Sequence, residues 1–186
     1  VDGSTISIVA GAGVHASMVT ALQPSALINL TIRVTTITVT GGADVTAVRV
    51  EWPATDAPYS AGLVVAASRI DMQPATIANQ RRRVTGIDFT KSALPSRAID
   101  AVVENSVVKI TPLTQSSRSA GALDVRGVHG SGLLIPTVTV SDANFTVVVD
   151  DFAHSEASTV HAVSIIASGT HNLHVRRTLA AVNAMN

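Results

Sequence analysis

Apolar side chains alternate with polar ones along short stretches rich in valine and isoleucine, and the alternation changes phase at small polar residues. In LINLTIRVTTITVT, Leu30, Ile32 and Val34 alternate with polar residues. After the two threonines that follow, the apolar positions move to Ile37 and Val39. A period of two predicts a half-buried β-strand, and the phase change predicts a corner or bulge in continuing extended chain.

The same event recurs further along the chain. The phase changes at Asn105-Ser106 in AVVENSVVKI and across 141–144 in TVTVSDANFTVVVD. We interpret it as a module made of a short strand, a small polar corner and a second strand. The module occurs near residues 37–50, 63–72, 101–110, 137–149 and 164–175, with spacings of about 25 to 38 residues. Repetition of this kind is typical of solenoid proteins.

The sequence therefore predicts an all-β fold, a parallel β-helix or solenoid of roughly six to eight coils. Short helical interruptions are expected in 73–84, where Pro74 suits a first helical turn, and in 176–186, where a helix would cap the end. The corners lack the Asn-Gly and Asp-Gly pairs of tight hairpins, which favours the solenoid. An antiparallel β-sandwich or jelly roll remains the alternative, because it also contains many short strands.

Composition limits the function classes. The 186 residues contain 13 basic and 13 acidic side chains and no cysteine, so disulfides and thiolate chemistry are excluded and nucleic-acid binding is disfavoured. No apolar run is long enough to cross a bilayer, and no cofactor motif is complete. We expect one β-rich domain over 1–186, which begins at Val1 and so is processed or part of a longer chain.

The strand pairs AVVENSVVKI, TVSDANFTVVV and SIIASGTHNLHV resemble the parallel β-helix repeats of pectin-lyase-like proteins. Their bias toward Ala, Val and Thr is most similar to large kinetoplastid surface proteins of the dispersed gene family type. The resemblance implies a long extracellular β-helix, often glycosylated and without assigned catalysis. It covers most of the chain and rests on the residue types of the strands and corners rather than on a defined motif.

Candidate catalytic and metal-binding residues are better explained as structural. Asp150 and Asp151 are adjacent, so a strand would direct them to opposite faces, and with Asp142 we expect them to be solvated carboxylates. The pair His171 and His174 would share a face only on a helix, whereas the surrounding alternation predicts a strand. His154 and His161 lie upstream of this pair.

Three further motifs have a similar interpretation. The run 81–83 of three arginines is expected in a solvated loop or helix end, and GVHGSGLL at 127–134 is expected to be a turn, because it lacks the spacing of a nucleophile elbow. EWPATDAPYSAG at 51–62 is expected to be a long surface loop. No catalytic, cofactor-binding or metal-binding residue is predicted.

Asn29-Leu30-Thr31 and Asn144-Phe145-Thr146 are sequons, so Asn29 and Asn144 are candidates for N-linked glycans. The expected function is a non-enzymatic structural module of an extracellular or cell-surface protein. It would associate with itself or with neighbouring modules in a filament or coat, because solenoid ends leave strand edges unpaired. The alternatives are a polysaccharide lyase or hydrolase and a viral coat protein with a jelly roll.

Overall fold

Sixteen strands make up nearly all of the described chain. The computed structural model describes residues 2–10, 16–22, 29–41, 44–52, 61–74, 82–91, 98–111, 123–133, 135–150, 159–167 and 172–185. The strands are β1 (Thr5–Ala10), β2 (Ala16–Leu22), β3 (Asn29–Arg33), β4 (Thr36–Gly41), β5 (Val45–Trp52), β6 (Ala61–Ala66), β7 (Arg69–Gln73), β8 (Arg82–Lys91), β9 (Ala98–Glu104), β10 (Val107–Ile110), β11 (Leu123–Leu133), β12 (Ile135–Ser141), β13 (Asn144–Asp150), β14 (Thr159–Ala167), β15 (Asn172–Arg176) and β16 (Leu179–Met185).

The strands form three parallel sheets in which every third strand is a neighbour. Sheet A has the order β3-β6-β9-β12-β15, sheet B has the order β1-β4-β7-β10-β13-β16, and sheet C has the order β2-β5-β8-β11-β14. Each described strand pair is parallel. This confirms the solenoid prediction, and the antiparallel sandwich or jelly roll is wrong.

The described strands complete five turns, and β16 begins a sixth. This number is at the lower end of the six to eight coils expected, because each turn is longer than a typical coil. Paired residues on neighbouring turns are 31 residues apart at Thr5 and Thr36 and 38 apart at Arg69 and Val107. The extra length lies in the connections between strands.

Two local predictions are wrong. The closing segment forms strand β16, which pairs with β13, so no helix caps this end. GVHGSGLL lies largely within β11, where Val128, His129 and Gly130 pair with both β8 and β14. Most of the expected helix in 73–84, and 53–60 of the expected loop in 51–62, lie outside the described residues.

The polar corners are mainly the turns from sheet A to sheet B. Of the predicted modules, 63–72, 101–110 and 137–149 each contain this turn, whereas 37–50 and 164–175 contain the turns from B to C and from C to A. Each of these three kinds of turn has alternating apolar residues on both sides. The sequence pattern therefore does not distinguish turns from A to B, from B to C and from C to A. Val34, expected to face inward, lies in this corner and is exposed.

Each A-to-B corner consists of a residue with positive φ followed by a small residue. The positive φ angles belong to Gly3, Val34, Ala67, Asn105, Asp142 and Arg177. The residues that follow them are Ser4, Thr35, Ser68, Ser106, Ala143 and Thr178. The left-handed conformation turns the chain and moves the apolar face to the opposite parity, which explains the phase change in the sequence.

Hydroxyl groups connect these corners from turn to turn. The Ser68 hydroxyl donates to the Ala66 carbonyl at 2.8 Å and accepts from the Thr35 amide at 3.2 Å. The Ser106 hydroxyl repeats both bonds, with the Glu104 carbonyl and the Ser68 amide. A buried backbone donor is thereby satisfied at a place where no strand pairing is available.

The core is a stack of inward columns of aliphatic residues. In sheet A, for example, Leu63, Ala101 and Val138 lie above one another and are fully or almost fully buried. In sheet C, Gly86 and Gly127 lie where neighbouring atoms come too close for a side chain. A β-carbon at Gly127 would overlap the Phe145 ring and lie 2.6 Å from the Ala162 carbonyl oxygen, so glycine is needed for this close approach.

Candidate functional site

The most connected polar group is a network between strands β8, β11 and β14 of sheet C. Arg126 binds the Asp124 carboxylate with two bonds, from Nε at 3.2 Å and from Nη2 at 2.7 Å. The Thr159 hydroxyl donates to the same carboxylate at 3.2 Å, and Nε of Arg83 lies 3.6 Å away. Asp124 is only 4% exposed, so its charge is balanced within the network.

His129 extends the network along β11. Its Nε2 lies 2.8 Å from Nη1 of Arg126, and its Nδ1 lies 3.1 Å from the Ser164 carbonyl oxygen. Because a guanidinium only donates, Nε2 accepts and Nδ1 carries the proton that Ser164 binds. Both ring nitrogens are therefore occupied by the fold, and the ring is neutral.

The ionisation of both groups follows from this environment. Burial opposes the charged form of Asp124, but hydrogen bonds from Arg126 and Thr159 and the charges of Arg126 and Arg83 outweigh it and lower the pKa of the carboxyl. Burial, with the charge of Arg126, lowers the pKa of His129, and the charge of Asp88 only partly opposes this. The network therefore holds an ionised carboxylate and a neutral imidazole that share Arg126 as a partner, and its bonds to Thr159 and Ser164 join β11 to β14.

A shallow basic surface lies on the outer face of sheet A at its last two strands. Thr139 and Ser141 of β12 lie beside His174 and Arg176 of β15. At the adjoining corner Asp142 accepts two bonds from Arg177, with Nε–Oδ1 at 2.5 Å and Nη2–Oδ2 at 2.7 Å. These bonds, followed by the charge of Arg177, lower the pKa of Asp142 against the opposing effect of burial.

The structure does not bring the two described candidate carboxylates, Asp142 and Asp150, together. Asp142 lies in a corner, whereas Asp150 ends β13 opposite Met185, and Asp151 lies outside the described residues. His174 lies on strand β15 and His161 on strand β14, in different sheets, and both are exposed. His154 and His171 are not among the described residues.

The arginine run begins sheet C strand β8. Arg82 is its first residue, and the Arg83 amide donates to Oδ1 of Asp44 at 2.8 Å, while Arg81 is outside the described residues. The sequence predicts a solvated loop or helix end here, whereas Arg83 lies in a strand and contributes to contacts between strands. Within the described ranges, no group of three or more His, Asp or Glu side chains could hold a metal ion, and no helix is long and apolar enough to cross a membrane.

Both sequons lie at strand starts. Asn29 is the first residue of β3, and Asn144 is the first residue of β13. Asn144 is half-buried, and its Oδ1 accepts a bond from the Thr146 hydroxyl at 3.2 Å.

The last turn of the stack ends in an uncovered apolar surface, which we call the terminal face: Val160, Leu173, Val175, Ala180 and Val182. Columns that are buried on the preceding turn become exposed here. Exposure rises from 0% at Val138 to 44% at Leu173, from 0% at Val140 to 48% at Val175, and from 6% at Val147 to 58% at Val182. A pocket of about 90 Å³ opens beside this face between β14 and β16, lined in part by Phe145 and Ala162.

Sequence reasoning missed the sheet C network and the terminal face. Asp124, Arg126 and His129 have no motif spacing, and only their positions on neighbouring strands of a long-period stack join them to Arg83 and Thr159. The terminal face was expected in general terms from the solenoid, but the predicted helical cap would have covered it. No family model matches the chain, and no curated protein or solved structure is significantly similar to it.

Proposed function

We propose that this chain is a non-enzymatic structural module of an extracellular or cell-surface β-helix, which assembles end to end into a filament or coat. The observation that carries the proposal is the terminal face. Its residues continue the inward columns of the core, yet they are exposed at the last turn. Full burial of one valine or leucine stabilises by about 1.5–3 kcal/mol, so covering several of them is a strong driving force for association.

Backbone groups support the same proposal. Strands β14, β15 and β16 each pair on one side within the chain and are the last strands of sheets C, A and B. Parallel strand edges of this kind pair readily with another strand. An apolar face bordered by three open edges matches another turn of the same solenoid better than it matches a small molecule.

The proposed location and glycosylation rest on sequence features. The sequons at Asn29 and Asn144 and the resemblance to β-helix surface proteins support an extracellular site. Asn144 faces outward from sheet B beside Val107 and Leu179, away from the core column of Phe145.

The test is assembly of the parent chain and of a variant with a charged terminal face. We expect the parent to form concentration-dependent oligomers in sedimentation velocity and rods in negative-stain images. Val175→Lys with Val182→Lys should lower the apparent association constant at least about tenfold, which is roughly 1.4 kcal/mol. Lysine at both positions would have to be desolvated in the junction.

The matched control adds the same charges to the lateral surface of the same two sheets. Thr38→Lys with Val102→Lys changes outward positions of β4 and β9, so this variant should assemble like the parent. A parent chain that is monomeric across a wide concentration range would contradict the proposal, as would equal loss of assembly in both variants.

The alternative of a carbohydrate-active enzyme is tested by sugar release from acidic polysaccharides. We expect no release, because Asp124 and His129 are directed at Arg126, Thr159 and Ser164 rather than at a cleft. The other alternative, a jelly-roll shell protein, required antiparallel strands and loses its basis in the parallel fold.

A further inference from the structure

The first and last A-to-B corners of the stack are equivalent positions of one repeating column. Gly3 and Ser4 form the first corner, and Arg177 and Thr178 form the last. The amide of Gly3 donates to the Arg33 carbonyl on the next turn at 3.1 Å. The amide of Asp142 does the same to the Arg176 carbonyl, also at 3.1 Å.

The repeating bonds specify which groups a further turn would use. One more turn would offer a carbonyl to the Arg177 amide and an amide to the Thr178 carbonyl, as in the bond from Leu179 to Ala143 at 3.0 Å. The first corner holds both groups in the required order, namely the Asp2 carbonyl and the Thr5 amide. Ser4 also carries the hydroxyl that accepts from the preceding corner elsewhere in the column, as Ser68 does from Thr35.

The charges at the two ends are complementary. Asp2 forms a parallel bridge with Arg33, and the same outward column continues through Ala66, Glu104 and Ser141 to Arg176. An Asp2 placed one turn beyond Arg176 would therefore be its direct cross-strand neighbour. Opposite charges in such pairs stabilise adjacent strands.

The inward residues are also complementary. The column that begins at Ile6 passes through Ile37, Ile70, Val108 and Phe145 and ends at Ala180, its smallest member. Ala180 lines the pocket at the terminal face. An isoleucine one turn beyond Ala180 would fill part of that space, as Ile37 does above Ile70 within the core.

Resting on the proposed end-to-end assembly, we propose that the partner is a second copy of this chain in one defined register. Its corner at Gly3 and Ser4 docks on Arg177 and Thr178, and its β1 extends sheet B in parallel beside β16, with Thr5 opposite Leu179. The second copy meets sheet A only at Asp2, and because sheets A and C both end one strand before sheet B, each keeps a gap one strand wide.

Introduced cysteines test this register, since the chain has none of its own. Ser7→Cys with Ala181→Cys places thiols opposite each other on adjacent strands of the junction, with α-carbons about 4.8 Å apart, which suits a disulfide. The matched control is Thr5→Cys with Ala181→Cys, which is off register by two residues and separates the α-carbons by about 8 Å. All of these residues face away from the core.

Under a mild oxidant, we expect the in-register variant to form covalent ladders on non-reducing gels at least tenfold faster than the control. Assembly of the parent with equal cross-linking of both variants would overturn the register and leave end-to-end assembly intact. A monomeric parent would overturn both proposals.

Charge reversal supplies an independent readout. Asp2→Arg should weaken assembly about three- to tenfold, and the added change Arg176→Asp should restore it. Restored assembly in the double variant supports the junction. If residues 2 and 176 did not meet, the change at Arg176 would not compensate for the change at Asp2. Weak assembly in the double variant would overturn the pairing.

Discussion

Val34, at the corner between β3 and β4, is a β-branched residue with a φ angle of +49°. This left-handed conformation costs about 1–2 kcal/mol for an L-residue, and asparagine, aspartate and glycine tolerate it best. Asn105 and Asp142 satisfy that preference at equivalent corners, whereas Val34 does not. Hydrogen bonds on both sides of the corner hold Val34 in place despite this cost.

Val34→Asn should therefore raise the free energy of unfolding by about 1 kcal/mol. The valine side chain is 64% exposed, so little apolar burial is lost. Chemical denaturation of the parent and the variant measures the difference. The reverse change at the equivalent corner, Asn105→Val, should lower stability by a similar amount, and equal midpoints for all three chains would contradict the argument.

At the scale of the element, strand β11 shows why a corner can be confused with a strand in the sequence. Its glycines predict a turn in the sequence, but Gly127 is required because a β-carbon there would overlap the Phe145 ring. Val125 and Val128, on either side of this close approach, both lie in the core, while His129 lies beside Arg126. Glycine marks close packing here, and packing between turns cannot be read from local sequence.

The neutral His129 makes sheet C sensitive to acid. The pKa of His129 in the folded state lies below the unfolded value of about 6.5. As the pH falls, the folded state therefore binds fewer protons than the unfolded state does. The contribution of the neutral His129 to the free energy of unfolding is complete above the unfolded pKa. It is lost as the pH falls from there through the lowered folded pKa. Protonation would place a second cation beside Arg126 and near Arg83, and among the described residues Asp88 and Asp124 would partly offset it.

His129→Gln should flatten the dependence of stability on pH between pH 7 and pH 5. The glutamine amide can still accept from Arg126 and donate to Ser164, while it cannot titrate. Thermal unfolding across this pH range measures the slope. His174→Gln, which removes an exposed histidine from another sheet, is the control and should keep the slope of the parent; loss of the slope in the control alone would contradict the assignment.

At the scale of the whole molecule, the periodic part of the fold was predictable and the contacts between turns were not. The alternation around Leu30, Ile37 and Val138 correctly indicated strands and corners, because inward columns require apolar residues at every second position. The number of turns, the strand β16 and the network at Asp124 depend on connection lengths and on neighbours more than 30 residues away.

Protection of backbone amides should follow position in the stack. Amides of β8, β9 and β11 lie between two paired neighbours, whereas β15 and β16 have a neighbour on one side. The first strands β1, β2 and β3 also have one neighbour, so hydrogen exchange measured by mass spectrometry should be slowest in the middle turns and fastest at both ends of the stack. A uniform rate along the chain would show that the stack opens as one unit.

All strand pairs in the described stack run the same way, which gives the molecule a direction. A face that presents Asp2 and one that presents Arg176 are chemically different, so a contact between unlike ends is heterologous and leaves one free end of each kind. Any polymer built on these ends would be a head-to-tail filament with two structurally different ends. The two ends of the filament would add subunits at unequal rates, and blocking one end would stop growth at that end alone.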